Sequence, residues 1–134
     1  MGKEFLVDTH ALLFALYEPH RLSRAALKTL SDTDNTLFVS SASAWEIATR
    51  FRIGKLSYSD FDVGELLLNY PAHLSRLGAV ELAIFSNHAL LGGSIDSDHK
   101  DPFDRILAAQ ARLENLTIIS ADPAFDKLGA RRLW

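Results

Sequence analysis

The chain has 134 residues, of which 48% are apolar and 23% charged, with a formal net charge of −3. That length suits a single domain with a real core, expected to span residues 1–134, and the slightly acidic balance argues against a general nucleic-acid coat, which would be basic. The absence of cysteine excludes disulfides, thiolate zinc sites and cysteine nucleophiles.

The opening Met1-Gly2-Lys3-Glu4-Phe5 lacks the apolar region of a signal peptide, and no run approaches the length of a membrane span. A cytoplasmic location without membrane contact is therefore expected. Residues 5–7 are a short apolar run, read as a strand, followed by Asp8 and a helix over 9–16 that Asp8 is placed to cap. Glu18-Pro19-His20 breaks the pattern. Ser23 caps a second helix to Leu30, a polar turn covers 31–35, and residues 37–39 form the second strand. The next helix has Ala44, Ile47, Ala48 and Phe51 at i, i+3, i+4 and i+7, an expected apolar face with Glu46 off it, and Gly54 as its stop. Arg50, Arg52 and Lys55 stand close together behind it, either as a phosphate contact or as a solvated face.

Residues 60–74 read as a helix burying Val63, Leu66, Leu67 and Tyr70, with Pro71 as a kink or a stop. A third strand follows at 79–84. A short helix over 86–91 is expected to close at Gly92-Gly93, before a polar loop over 94–100. Asp101-Pro102-Phe103-Asp104 then reads as a strong helix start, with an acid at the N-cap, proline at the first helical position and a second acid at N3. The apolar residues from Ile106 to Leu113 predict a deeply buried helix. A buried strand over 116–120 leads to Ser120-Ala121-Asp122-Pro123, a second acid–proline start, then a short helix over 123–127 and a last strand at about 131–134. Short apolar strands alternating with helices predict an α/β fold, a three-layer α/β/α sandwich around a mostly parallel sheet.

In such sheets ligands bind outside the carboxyl ends of the strands. Asp8 and Asp122 each follow a strand there, and Asp104 and Glu46 lie in the first turns of helices. Carboxylates gathered at one edge repel one another unless a cation joins them, and hard oxygen ligands suit Mg²⁺ or Mn²⁺. Such ions support phosphoryl displacement. Each acid also has a plainer reading. Asp8, Asp101 and Asp122 serve as N-caps, Asp104 as an acid at the positive end of the helix dipole, and Glu46 as the partner of Ser43 in a capping box. Capping accounts for each acid singly but not for their gathering at one edge, and a cap can also be a ligand. The five histidines, His10, His20, His73, His88 and His99, have no nucleophile-elbow context, and no Gly-rich phosphate loop is present. Trp45 and Phe51 are expected in the core or at an interface.

Taken together, these segments resemble the PIN-domain ribonucleases, most nearly the VapC-type toxins of type II toxin–antitoxin pairs. The resemblance rests on Val7-Asp8-Thr9-His10-Ala11-Leu12-Leu13, on the stretch 41–56 with Trp45-Glu46-Ile47 and Gly54-Lys55-Leu56, on His99-Lys100-Asp101-Pro102-Phe103-Asp104-Arg105 with Ala108-Ala109-Gln110-Ala111, and on Ser120-Ala121-Asp122-Pro123-Ala124-Phe125. It implies a PIN-like fold and a Mg²⁺- or Mn²⁺-dependent endoribonuclease whose catalytic and metal-binding residues are Asp8, Glu46, Asp104 and Asp122. Asp8 and Asp104 would be direct ligands, Glu46 and Asp122 would complete the shell, Asp101 would cap or support, and Ser120 and Arg105 would orient substrate or acids. It further implies an RNA substrate, a homodimer and a cognate antitoxin whose tail covers the cleft; an apolar face of Leu12, Phe14, Leu16, Leu27 and Leu30 is read either as the receiver of that tail or equally as core. Two alternatives stay open: a catalytically silent PIN-like module that holds RNA or a partner, and a metal-dependent phosphatase or DNA nuclease using the same acids.

Overall fold

A computed structural model describes residues 2–56 and 63–134. Five parallel strands form one sheet in the order β3-β2-β1-β4-β5. They are β1 (Glu4–Val7), β2 (Thr36–Ser40), β3 (Ala79–Leu82), β4 (Thr117–Ile119) and β5 (Arg132–Leu133). The register is fixed by Leu6 opposite Phe38 on one side of β1 and opposite Ile118 on the other.

Successive side chains of a strand face opposite ways, and the core divides accordingly. Phe5 and Val7 of β1 and Ile119 of β4 join one apolar cluster with Leu12, Leu13, Ala26, Ile47, Leu66 and Leu74. Leu6 and Ile118 join another with Leu107, Ala108, Ala111, Phe125 and Leu128. Burial on both faces explains why the central strands β1, β2 and β4 carry no polar alternation, while the outer β3 and β5 hold Glu81 and Arg132. The expected three-layer α/β/α arrangement is thus observed, and the sheet is parallel throughout.

Helices α1 (Thr9–Tyr17) and α2 (Arg24–Ser31) start where expected, capped by Asp8 and Ser23, which accept from the Ala11 and Ala26 amides. A 3₁₀ turn at Pro19–Arg21 separates them. Helix α3 (Ser41–Arg52) departs from expectation. Ser40, the last residue of β2, caps it by accepting from the Ala42 amide, so Ser43 forms no capping box with Glu46. Its buried side is Ala42, Ser43, Glu46 and Ile47, while Ala48 and Phe51 are exposed. Trp45 is 63% exposed, so neither aromatic belongs to the core.

The helix expected over 60–74 is two helices, α4 (Val63–Leu68) and α5 (Tyr70–Leu77), with Asn69 between them. Pro71 sits in the first turn of α5, where its missing N–H costs nothing. The expected beginning of that helix, at 60–62, lies outside the described residues. Helix α6 (Ser86–Ser94) does not stop at its glycines but runs through them. Gly92 is there because α7 crosses it: a Cβ at that position would lie 3.3 Å from the Arg105 carbonyl oxygen. Helix α7 (Pro102–Leu113) is amphipathic rather than apolar all round, burying Leu107, Ala108, Ala109, Gln110 and Ala111 and leaving Leu113 45% exposed. The short α8 (Ala124–Lys127) follows β4. Among the described residues no helix is long and apolar enough to cross a membrane.

From β1 the chain moves outward to β2 and β3, then crosses back to place β4 on the free side of β1. The β1/β4 pair is therefore the point where strand order reverses, and the crevice outside its carboxyl ends is where this topology builds a site.

Candidate functional site

Asp8 occupies one side of that crevice. Its backbone N–H donates to the Ile119 carbonyl at 3.2 Å, continuing the β1–β4 ladder by one residue. Its Oδ1 accepts from the Ala11 amide at 2.7 Å, so the cap holds the carboxylate over the start of α1. Only 4% of Asp8 is exposed. Burial pushes its carboxyl above the ordinary range, and the Glu46 charge adds to this, while hydrogen bonds from Ser120 and the Ala11 amide and the nearby His10 oppose it.

Glu46 is also buried. Arg50, one turn on, binds its Oε2 through Nε at 3.0 Å and Nη2 at 2.9 Å. The turn that carries Asp8 is tied to α3 by a hydrogen bond from the Thr9 hydroxyl to the Ser43 hydroxyl at 3.0 Å. Thus the first two acids of the sequence reading come near enough for the Glu46 charge to act on Asp8.

Asp104 stands in the first turn of α7, beneath the cap made by Asp101, whose Oδ1 accepts from the Phe103 amide at 2.9 Å and the Asp104 amide at 3.3 Å. Burial raises its carboxyl to about 6; the charges of Asp101 and Asp122 push the same way, and the hydrogen bond with His99 pulls back. That bond joins His99 Nε2 to Asp104 Oδ2 at 2.8 Å. Asp122 is exposed and shapes its own turn, with its backbone N–H donating to Ser120 Oγ and its Oδ1 accepting from the Ala124 amide. Asp8 and Asp122 line one cavity of about 230 Å³ together with His10, Ala11, Phe14, Ala121 and Trp134.

The four acids are therefore linked in pairs: the Glu46 charge acts on Asp8, the Asp122 charge acts on Asp104, and Asp8 and Asp122 line the same cavity. Among the described residues, no three of them close on one point as a ready metal cage. The donor set itself fits a hard divalent ion, since every candidate ligand is a carboxylate. Asp8 and Asp104 hold protons more tightly than ordinary carboxyls because burial and like charge disfavour the ionised form, and a cation between them relieves both causes.

Some roles differ from expectation. Arg105 spends its guanidinium on backbone carbonyls: Gly92 at 2.8 Å, Ser97 at 3.2 Å, His99 at 2.7 Å, and Ile95. It braces the loop that delivers His99 to Asp104, and so positions an acid through the loop rather than offering a free cation. Of the apolar face expected on the first helices, Leu12 and Leu30 are core, while Leu27 is 45% exposed. His73 and His88 are buried and bonded at 2.8 Å to Glu65 and Glu114. Sequence reasoning missed the pairing of Arg50 with Glu46, although an acid four residues before an arginine on one helix is its signal. It also missed the His99–Asp104 pair, which no helical or strand spacing announces.

The chain's fold has known counterparts. One is a chain of the crystal structure of VapBC2 from Rickettsia felis bound to a DNA fragment from their promoter, with a TM-score of 0.69 and 15% identity over 99% of this chain and 98% of that one. Another is a chain of FitAcB from Neisseria gonorrhoeae, with a TM-score of 0.62 and 19% identity over 100% and 97%. A third is a chain of FitAB bound to an IR36 DNA fragment, with a TM-score of 0.61 and 17% identity over 99% and 94%. At these identities the likeness is one of fold. No curated protein matches the sequence. The family model described as PIN domain matches residues 5–131. This chain belongs to the PIN domain family.

Proposed function

We propose that this protein is a Mg²⁺- or Mn²⁺-dependent endoribonuclease that hydrolyses RNA phosphodiester bonds as the toxin of a toxin–antitoxin pair. PIN domains are a family of nucleases, and what supports this site is that Asp8 and Asp122 line one cavity, with the Glu46 charge acting on Asp8 and the Asp122 charge on Asp104. Asp8 and Asp104 hold the ion directly, and Glu46 and Asp122 complete its surroundings. When bound, a divalent ion there supplies positive charge against the phosphate and makes water easier to deprotonate. The Asp8 and Asp101 caps fix the carboxylates, and the amino ends of α1 and α7 favour the phosphate. His99 steadies Asp104 through Nε2.

A cognate antitoxin completes the reading, supported by the likeness in fold to chains of the VapBC2 and FitAB toxin–antitoxin assemblies. A homodimer is supported by the exposed apolar residues Trp45, Ile84, Phe85 and Leu90. The protein acts in the cytoplasm, where its substrate is. A second reading, a catalytically silent RNA- or partner-binding module, is favoured by one observation. Glu46 and Asp104 are already paired with Arg50 and His99 within the chain.

The test is expression of the wild type and Asp8→Asn, with growth and RNA cleavage followed in Mg²⁺ and in chelator. Growth arrest and cleavage are expected only for the wild type, and cleavage only with the metal. Undiminished cleavage in chelator overturns the metal mechanism. Metal binding with no cleavage of any RNA supports the silent module, and cleavage of DNA alone supports a DNA nuclease.

A further inference from the structure

The cavity that Asp8 and Asp122 line is also walled by aromatic and apolar side chains that offer an ion no ligand. Its walls are Ala11 and Phe14 of α1, Ala121 after β4 and Trp134 beyond β5, with His10 at the mouth. The Phe14 ring lies 6.5 Å from both the His10 and the Trp134 rings, tilted 45° and 57° to them. The Arg21 guanidinium sits over Phe14, 4.4 Å from its centroid. One face of Phe14 is therefore taken, and Phe14 forms a wall, while the half-buried Trp134 is the ring left to stack on.

The whole cavity, its acid end included, is about 230 Å³, which is small for a folded peptide segment and leaves its aromatic end room for one flat heteroaromatic ring. A base entering it would keep its own nucleotide's phosphate at the Asp8–Asp122 end. Two basic side chains are at hand: exposed His10 lines the cavity, and Arg21 over Phe14 is half exposed and paired at 3.4 Å with Glu18. A base inside a duplex is stacked and cannot enter, whereas a splayed base of a single strand can.

Resting on the reading of the acids as a ribonuclease site, we propose that this recess binds one unstacked base of single-stranded RNA, next to the phosphodiester to be cut, with Trp134 as its stacking platform. It then makes the enzyme a single-strand reader and sets its base preference.

The chain has two tryptophans, so Trp45→Phe leaves Trp134 as the sole fluorescent reporter. In that background, with Mg²⁺ and with Asp104→Asn to stop turnover, the probes are a single-stranded RNA oligomer, its duplex, and an abasic oligomer of equal charge. Quenching of Trp134 is expected with the single strand and not with the other two. In the otherwise unaltered enzyme, Trp134→Ala should raise KM for single-stranded RNA roughly tenfold, the scale of one stacked base, with kcat nearly unchanged. Trp134→Phe should restore it. Equal quenching by the abasic oligomer or the duplex overturns the proposal, as does an unchanged KM in a folded Trp134→Ala. Quenching by an antitoxin tail peptide but by no RNA also overturns it and makes the recess a protein-docking site. Cleavage that persists in chelator is a separate failure, of the metal mechanism alone, and leaves the fluorescence result standing.

Discussion

Replacing Asp104 with asparagine should stabilise the metal-free protein. The carboxyl has an ordinary value of 3.8 and is raised to about 6 in the fold, first by burial and then by Asp101 and Asp122. At about 1.4 kcal/mol per pH unit, that gap penalises the ionised native state by about 3 kcal/mol. Its side chain is only 17% exposed, so solvent screening removes little of this. Below the ordinary value the carboxyl is protonated in both states and no penalty exists. Between the two values the fold keeps a proton that the unfolded chain has lost, so stability falls as pH rises. Above about 6 the full penalty is present. Asparagine carries no charge and still offers His99 an acceptor. In urea denaturation with chelator, the advantage of Asp104→Asn over wild type should be about 3 kcal/mol near pH 8 and should shrink by about 2 kcal/mol near pH 4.5. Mg²⁺ or Mn²⁺ near pH 8 should close the gap by stabilising the wild type alone. An advantage that is absent, or that does not change with pH and metal, refutes the reasoning.

Arg105→Ala should destabilise by roughly 2–4 kcal/mol, because several backbone carbonyls lose a charged donor together. Arg105→Lys should recover little, since a point charge cannot serve that fan of acceptors, and both variants should lose activity as His99 drifts from Asp104; thermal melts and cleavage rates check this. The two adjacent glycines of α6 should respond with opposite sign. Gly92→Ala puts a methyl 3.3 Å from the Arg105 carbonyl oxygen and should cost about 1–3 kcal/mol. Gly93→Ala meets open space and should gain about 0.5–1 kcal/mol from helix propensity. Ser40→Ala should cost about 1 kcal/mol by uncapping α3, whereas Ser43→Ala should leave that cap intact, as chemical denaturation will show.

The centre of the sheet was legible because β1, β2 and β4 are short and apolar without alternation, as a doubly covered parallel sheet requires, while β3 was legible from its alternation through Glu81. The caps at Asp8, Ser23 and Asp101 were legible from chemistry and spacing. Helix α3 was not, for a physical reason. Periodicity counts apolar residues, but the side of α3 facing the crevice carries Ser43 and Glu46, kept there by Thr9 and Arg50, so the stripe with the best apolar count is partly the solvent side. Sites break the pattern that cores obey. Gly92-Gly93 misled in the opposite direction: glycine reads as a stop, and here it permits a close helix crossing. The pairing of His99 with Asp104 depends on the path of the 94–101 loop, which Arg105 dictates and no local rule encodes.

The seam between β1 and β4 has a consequence for biosynthesis. Asp8, Glu46 and Asp104 all leave the ribosome before β4, but Asp122 arrives only once the chain has been made past Thr117 and can dock its fourth strand against the first. A fragment that stops short of that strand carries three of the four acids, lacks Asp122 and has an open flank on β1. If this chain is a toxin, its danger to the cell that makes it begins only after β4 has been made and docked on β1, which leaves the antitoxin that stretch of elongation to be present before the crevice closes.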